Sequence, residues 1–231
     1  MRRDRSAAFL ASCPSLNIEA YLTTNGRAGR TFTASWVCWV VDVLDIKYNV
    51  GMITLSTLNA RFSHASLGLR YLLANLREHA AYTRLAEYTI KSPVNAMVAD
   101  LLSDSPRIIG FGVYIWNVNE TLALIKALKM AAPELIVVVG GPEVSYEVEQ
   151  QEITQVADYV VTGWGEITLP KLFDALIHGP KPLMKVHVGV QAKLDDLVMP
   201  YHLYTDDDLK HRNIYVEASR GCPFKCEFCL S

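Results

Sequence analysis

RIIGFGVYIWNVNETLALIKALKMAAPELIVVVGGPEVS, residues 107–145, holds two apolar runs with a helix-forming stretch between them. Arg107–Tyr114 is apolar nearly throughout and reads as a strand. Asn117 with Glu120 resembles a capping box that opens a helix through Lys129. Leu135–Val139 is a run of branched residues and reads as the next strand, closed by Gly140-Gly141-Pro142. Strands that are apolar without alternation are buried on both faces, as in a parallel sheet. The intervening helix is the crossover that parallel neighbours require.

The same alternation extends outward. Upstream, Ile53–Thr57 and Thr83–Ile90 read as strands, and Leu69, Leu72, Leu73 and Leu76 between them form one helical face. Ser92-Pro93 places an N-cap before a proline at the first helical position, and Val94, Met97, Val98, Leu101 and Leu102 follow as an apolar stripe. Downstream, 144–154 is a weaker helix and Tyr159–Thr162 a fifth strand. Leu169, Leu172, Phe173 and Leu176 face one side of a last helix, closed by Gly179-Pro180. The expected fold is α/β: a doubly wound, five-stranded parallel sheet over 52–178. Ligands on such sheets bind beyond the carboxyl ends of the strands.

The flanks read differently. Residues 1–51 lack a clean period and are expected to be a poorly ordered extension, with Met52 as natural initiator; the rival is a helical addition around Trp36, Trp39 and Val43. Residues 179–212 read as a linker with a short strand near Lys185–Val190 and a solvated run Asp206-Asp207-Asp208. Asn213–Ser219 reads as a new strand that opens a second domain over 213–231.

Composition narrows the function. The 231 residues carry 22 Lys and Arg against 24 Asp and Glu, a net charge of −2, which argues against a nucleic-acid partner. No apolar run approaches the roughly 20 residues of a membrane span. Five cysteines, three of them in Cys222–Cys229, fit a reduced, cytoplasmic setting better than a disulfide framework.

Cys222, Cys226 and Cys229 are the most specific feature. Three thiolates in one loop suit an iron–sulfur cluster or zinc. A closed zinc site wants four ligands, and no fourth lies nearby. Three ligands leave one iron of a cube open to a substrate.

The triplet resembles the radical SAM superfamily motif, with Phe228 as the aromatic before the last cysteine. The region before it resembles the cobalamin-binding domain that precedes the barrel in one branch of that superfamily. The matching residues are Thr57–Arg61, Tyr114–Asn117, Gly140–Ser145 and Gly163–Glu166, all after expected strands. By this resemblance the cysteines hold a 4Fe–4S cluster whose open iron chelates S-adenosylmethionine. Asn59, Ser63, Tyr114, Trp116, Asn117, Gly140, Gly141, Pro142, Glu143, Gly163, Gly165 and Glu166 are the candidate cobalamin contacts.

The resemblance further implies a flavodoxin-like domain, then a linker and the first strand of an incomplete radical SAM barrel. A whole barrel takes on the order of 200 residues. The parent activity would be methyl transfer by cobalamin-linked radical chemistry, fed by an electron donor such as flavodoxin or ferredoxin. Cobalamin binding, rather than complete catalysis, is expected of this chain.

Physical reasons accompany these residues. Gly140 and Gly141 remove side chains where backbone approaches a ligand or takes positive φ. Gly163-Trp164-Gly165-Glu166 lacks the third glycine of a dinucleotide fingerprint and follows the last strand rather than the first. The Asp-x-His-x-x-Gly signature of a cobalt-ligating histidine is absent: His64 has no Asp two residues before it. The Tyr114–Asn117 loop is the candidate to cover the lower face of a corrinoid. A non-catalytic cobalamin module and a nucleotide-binding Rossmann-type domain remain open alternatives.

Overall fold

The structure, a computed structural model, describes residues 52–221. The expectations for 1–51 and for the three motif cysteines lie outside the described residues. Strands and helices alternate: β1 (Ile53–Asn59), α1 (Leu67–Ala74), β2 (Thr83–Thr89), α2 (Val94–Leu102), β3 (Ile108–Gly112), α3 (Val118–Ala131) and β4 (Ile136–Gly140). Then come α4 (Glu152–Val156), β5 (Tyr159–Thr162), α5 (Thr168–His178), β6 (Val186–Val188) and α6 (Asp206–His211). The strands form one sheet in the order β2-β1-β3-β4-β5-β6, every neighbour parallel. Chain order reverses at β1 and β3, and the crevice beyond their carboxyl ends is where such sheets hold ligands.

Successive residues of a strand face opposite ways, and this divides the core into two layers. Ile109, Phe111, Val137, Val139 and Val160 pack against α2, α3 and α4. Ile53, Leu55, Ile108, Val138 and Val161 pack against α1 and α5. The continuous apolar strands of the sequence are thus double-sided strands.

Four local expectations change. The sheet has six strands, not five: Val186–Val188 leaves the expected linker and pairs with β5, and Gly189 N donates to Thr162 O at 2.6 Å. Asn213–Ser219 is not a strand; Asn213 makes a single parallel bridge to His64, in the loop after β1, and no ladder continues beyond it. The weak helix at 144–154 breaks into two 3-10 turns and the short α4, with Glu147 at φ 48° between the turns. Ser92 does not cap α2, which starts one residue later after Pro93.

The capping box at Asn117 does not form either. Its side chain turns inward: Nδ2 donates to Leu58 O at 3.0 Å and Gly112 O at 3.3 Å, while Oδ1 accepts from Tyr114 N at 2.8 Å. One buried amide thereby ties the ends of β1 and β3 to the loop that follows β3.

The segment after β6 is held by a buried four-charge cluster. Arg70 on α1 reaches Glu87 of β2 and Asp208 of α6, both at 2.9 Å; Arg212 reaches the same carboxylates at 2.8 and 3.2 Å. The four side chains are only 4–8% exposed. Glu87 also accepts from Ser66 N at 2.6 Å and Asn59 Nδ2 at 3.1 Å. The aspartate run is therefore not a solvated face throughout: Asp208 is buried and completes a capping box with Thr205. Burial opposes ionisation of Asp208, but the Thr205 backbone N–H and the Arg70 charge outweigh it and hold its pKa below the ordinary value.

Removing one partner of a buried ion pair costs about 3–5 kcal/mol, so Arg70→Ala should lose that much in urea unfolding. A folded-state pKa below the unfolded one gives stability that is complete above the ordinary carboxylate pKa and fades as pH falls through the lowered value. Asp208→Asn should show a flatter acid limb than the parent.

Candidate functional site

The carboxyl ends of β1, β3, β4 and β5 open onto a cavity of about 280 Å³ between the sheet, α1 and α5. Glycines supply much of its wall: Gly68, Gly112, Gly140, Gly163 and Gly165, with Leu72, Val138 and Leu169 as apolar lining. Gly163 takes φ +67°, and a Cβ there would meet nothing within 4 Å, so this backbone faces free space. Gly141 differs. It takes φ +117°, and a Cβ would lie 2.5 Å from Val113 O. Its first duty is to the turn after β4, where Val113 N donates to Gly140 O at 2.7 Å. Ser145 Oγ fastens that turn, donating to Gly141 O at 2.7 Å and accepting from Gly163 N at 2.9 Å.

The mouth of the cavity is charged. Glu166 pairs with Arg220, which also contacts Glu217 at 2.9 Å. The guanidinium stacks over Tyr71 at 4.1 Å and over Trp164 at 5.1 Å. Burial works against the Arg220 charge, but Glu217 and Glu166 outweigh it and raise its pKa. Burial likewise pushes the Tyr71 hydroxyl up, with Tyr201 and Glu217 adding to the effect.

A second cavity, of about 460 Å³, adjoins the first and shares Gly68 and Tyr114 with it. Asn59, His64, Trp116 and Tyr215 line it. Tyr114 and Trp116 stack with ring centroids 4.5 Å apart and planes 8° apart. Burial raises the Tyr114 pKa, partly offset by a hydrogen bond with Ser66. Trp116 is 49% and Ile115 78% exposed, so this loop offers an apolar surface beside the cavity. His64 Nδ1 is hydrogen-bonded to Tyr215 Oη, and the two rings stack at 6.0 Å.

The structure brings Tyr114, Gly140, Gly141, Gly163, Gly165 and Glu166 around the first cavity, and Asn59, Tyr114 and Trp116 around the second. Ser63, Asn117, Pro142 and Glu143 line neither. Ser63 O accepts from Asn213 N at 2.7 Å, and Asn117 is spent within the fold. Pro142 and Glu143 belong to the 3-10 turn that carries Ser145. The Asn59 amide also works locally, donating to His64 O at 2.8 Å and to Glu87.

Sequence reasoning missed Gly68, Leu72, Leu169 and Arg220 as cavity residues. Gly68 carried a signal, since an isolated glycine in a helical pattern often marks close packing or approach; its Cβ would sit 3.1 Å from Tyr114 Oη. Leu72 and Leu169 were visible only as helix-face residues. Arg220 could be placed only by tertiary structure. It lies two residues before Cys222, so the described chain reaches the cavity mouth immediately before the cysteine motif.

The fold and its glycine-walled crevice define a nucleotide- or corrinoid-type α/β ligand domain. The family described as B12 binding domain matches residues 53–173, more than half of the chain, and the chain belongs to that family. It is 29% identical over 192 residues to hopanoid C-3 methylase of Methylococcus capsulatus, covering 71% of this chain and 35% of that protein. It is 30% identical over 190 residues to an uncharacterized methyltransferase of Pyrococcus horikoshii, covering 71% and 40%. A cobalamin-dependent radical SAM methyltransferase of Streptomyces tokunonensis is 25% identical over 189 residues, covering 71% and 28%. The chain thus spans well under half the length of these relatives. Among the described residues no helix is long and apolar enough to cross a membrane.

Gly141→Ala should destabilise the domain by at least about 1–2 kcal/mol, the cost of left-handed backbone for an L-residue, with the Val113 clash added. Gly163→Ala pays only the first cost. Paired thermal unfolding of the two variants checks the order.

Proposed function

We propose that this chain binds cobalamin at the carboxyl edge of the sheet and forms the amino-terminal part of a cobalamin-dependent radical SAM protein that transfers methyl groups. The observation that carries the reading is the first cavity: glycine-walled, apolar, adjoining a second chamber at Gly68 and Tyr114, and set in a B12-binding family domain. The residues fit the group. Gly112, Gly140, Gly163 and Gly165 clear space for a ring-bearing arm, and Leu72 and Leu169 desolvate it. Gly68 and Tyr114 line both chambers; Trp116, which lines the second, and the exposed Ile115 beside it provide apolar area for a corrin face. We place no protein histidine on cobalt, because the ligating signature is absent and His64 Nδ1 is engaged by Tyr215.

Cys222, Cys226 and Cys229 are assigned to a 4Fe–4S cluster, with S-adenosylmethionine on the open iron and a flavodoxin or ferredoxin as electron donor. Arg220 supports this reading. Its pairing with Glu166 and Glu217 anchors the chain at the cavity mouth just before the first cysteine. Cobalamin held by these residues would supply methyl-transfer chemistry. The chain's own residues bind, exclude water and hold the linker in place. Three clustered cysteines call for a compartment that keeps thiols reduced, and the cytoplasm is the proposed location.

Leu72→Trp turns the nearest free volume, the cavity, into side chain. Spectral titration with hydroxocobalamin should show at least a tenfold loss of affinity at an unchanged thermal midpoint; equal affinity would sink the placement. Iron per chain after anaerobic reconstitution should survive replacement of Cys13 and Cys38 by alanine and vanish when Cys222, Cys226 and Cys229 are replaced. If both variants lose iron equally, the three-cysteine assignment is wrong.

A further inference from the structure

Away from this crevice, the opposite edge of the sheet gathers a second set of metal-capable side chains. Glu78 and His79 lie on the 3-10 turn Arg77–Tyr82, which leads into the start of β2. Asp174 lies in the second half of α5. Crossover helices run back against their strands, so this end of α5 and the start of β2 meet at the amino edge, far from the carboxyl-edge loops.

We propose that Glu78, His79 and Asp174 bind a divalent first-row transition cation, for which zinc is the natural probe. One ligand atom from each lies within 4.8 Å of the others. The donors are one imidazole nitrogen and two carboxylates, a set that suits zinc and its neighbours better than softer or purely oxygen-seeking ions.

The decisive feature is the His79 ring. Its side chain is 1% exposed, and Nε2 lies 3.0 Å from Asp174 Oδ1. Yet Nε2 is a buried nitrogen without a hydrogen-bond partner, because the carboxylate is off the line of a ring N–H. Close approach with poor hydrogen-bond alignment is the relation of two ligands to one ion. Bonds of about 2.0–2.2 Å meeting at tetrahedral or octahedral angles leave ligand atoms about 3.0–3.5 Å apart.

The other ring nitrogen is already served. Nδ1 lies 2.8 Å from Tyr82 Oη. With the Nδ1 proton donated to that hydroxyl, Nε2 keeps its lone pair for a metal, which is the usual second contact of a ligating histidine. Phe173 and Tyr82 meet the ring edge-on at 6.3 and 5.6 Å and fix its plane. Asp174 is 55% exposed, which leaves a path for the ion and room for water as a further ligand. Among the described residues neither Glu78 nor Asp174 forms an ion pair with a lysine or arginine. His178, four residues beyond Asp174 and stacked on His79 at 6.5 Å, is a further donor beside the site. A bound ion would cross-link α5 to the entry of β2.

The motif cysteines also bind zinc, so the test uses the full chain with Cys222, Cys226 and Cys229 replaced by serine. Equilibrium dialysis with Zn²⁺ should give one saturable ion per chain. Co²⁺ should give visible bands without thiolate charge transfer. Asp174→Asn and Glu78→Gln, at exposed positions that leave the core intact, should each weaken Zn²⁺ tenfold or more, the range seen when metal-site contacts are lost. The thermal midpoint should rise with Zn²⁺ in the serine background and not in Asp174→Asn, as selective binding to the folded state requires. Absence of saturable binding in the serine background overturns the proposal. So does unchanged affinity in Asp174→Asn. Neither result bears on cobalamin binding, which is read separately.

Discussion

Everything beyond β6 depends on Arg70, Glu87, Asp208 and Arg212. Two cations and two anions are removed from water together, so each carboxylate faces two guanidinium groups and no charge is left over. Desolvating such a set is expensive, and isolated buried pairs often fail to recover the cost. Here further hydrogen bonds share the load: Ser66 N and Asn59 Nδ2 on Glu87, and Thr205 on Asp208. The guanidinium of Arg70 lies 4.8 Å above the Tyr204 ring, and that of Arg212 4.8 Å above the Phe62 ring. The cluster fixes one placement for residues 199–221, which in turn sets Arg220 against Glu166.

The site is a product of the same geometry. Parallel strands end together, and their ends present backbone rather than side chains wherever glycine follows. Gly112 and Gly140 sit in register at the ends of β3 and β4, so two neighbouring strands withdraw their side chains at one level. The helices that cover this face, α1 and α5, contribute leucines rather than charges there. The result is an apolar slot whose only ion pair, among the described residues lining it, stands at its mouth.

Much of this could be read from residues alone. β3, β4 and β5 were legible because burial on two faces leaves them apolar almost throughout; β1 alternates Ile53 and Leu55 with Thr54 and Ser56, yet all are buried. The glycine loops were legible because topology says which strand ends matter. The short strand near Lys185–Val190 was legible, but its membership of the sheet was not: three residues, Val186, His187 and Val188, carry no signal of a partner, and prolines nearby argue for a linker. Asn117 misled because a helix cap and a buried amide clamp favour the same residue type, and only tertiary contacts separate them. Asp208 read as a surface residue because charge normally faces water, and nothing local marked Arg70 as its partner. Their burial follows from partners 138 positions apart in the chain, which no local window contains.

That separation has a kinetic meaning. Joining Arg70 to Asp208 closes a loop of more than half the chain, and closure entropy grows with loop length. Contacts within β1-α1-β2 close far shorter loops and can form without it. The terminal segment is therefore the last piece to dock and the first to detach, a sub-global opening of lower free energy than unfolding of the sheet. Amide hydrogens of 199–221 would exchange as a unit ahead of those in β1, β3 and β4.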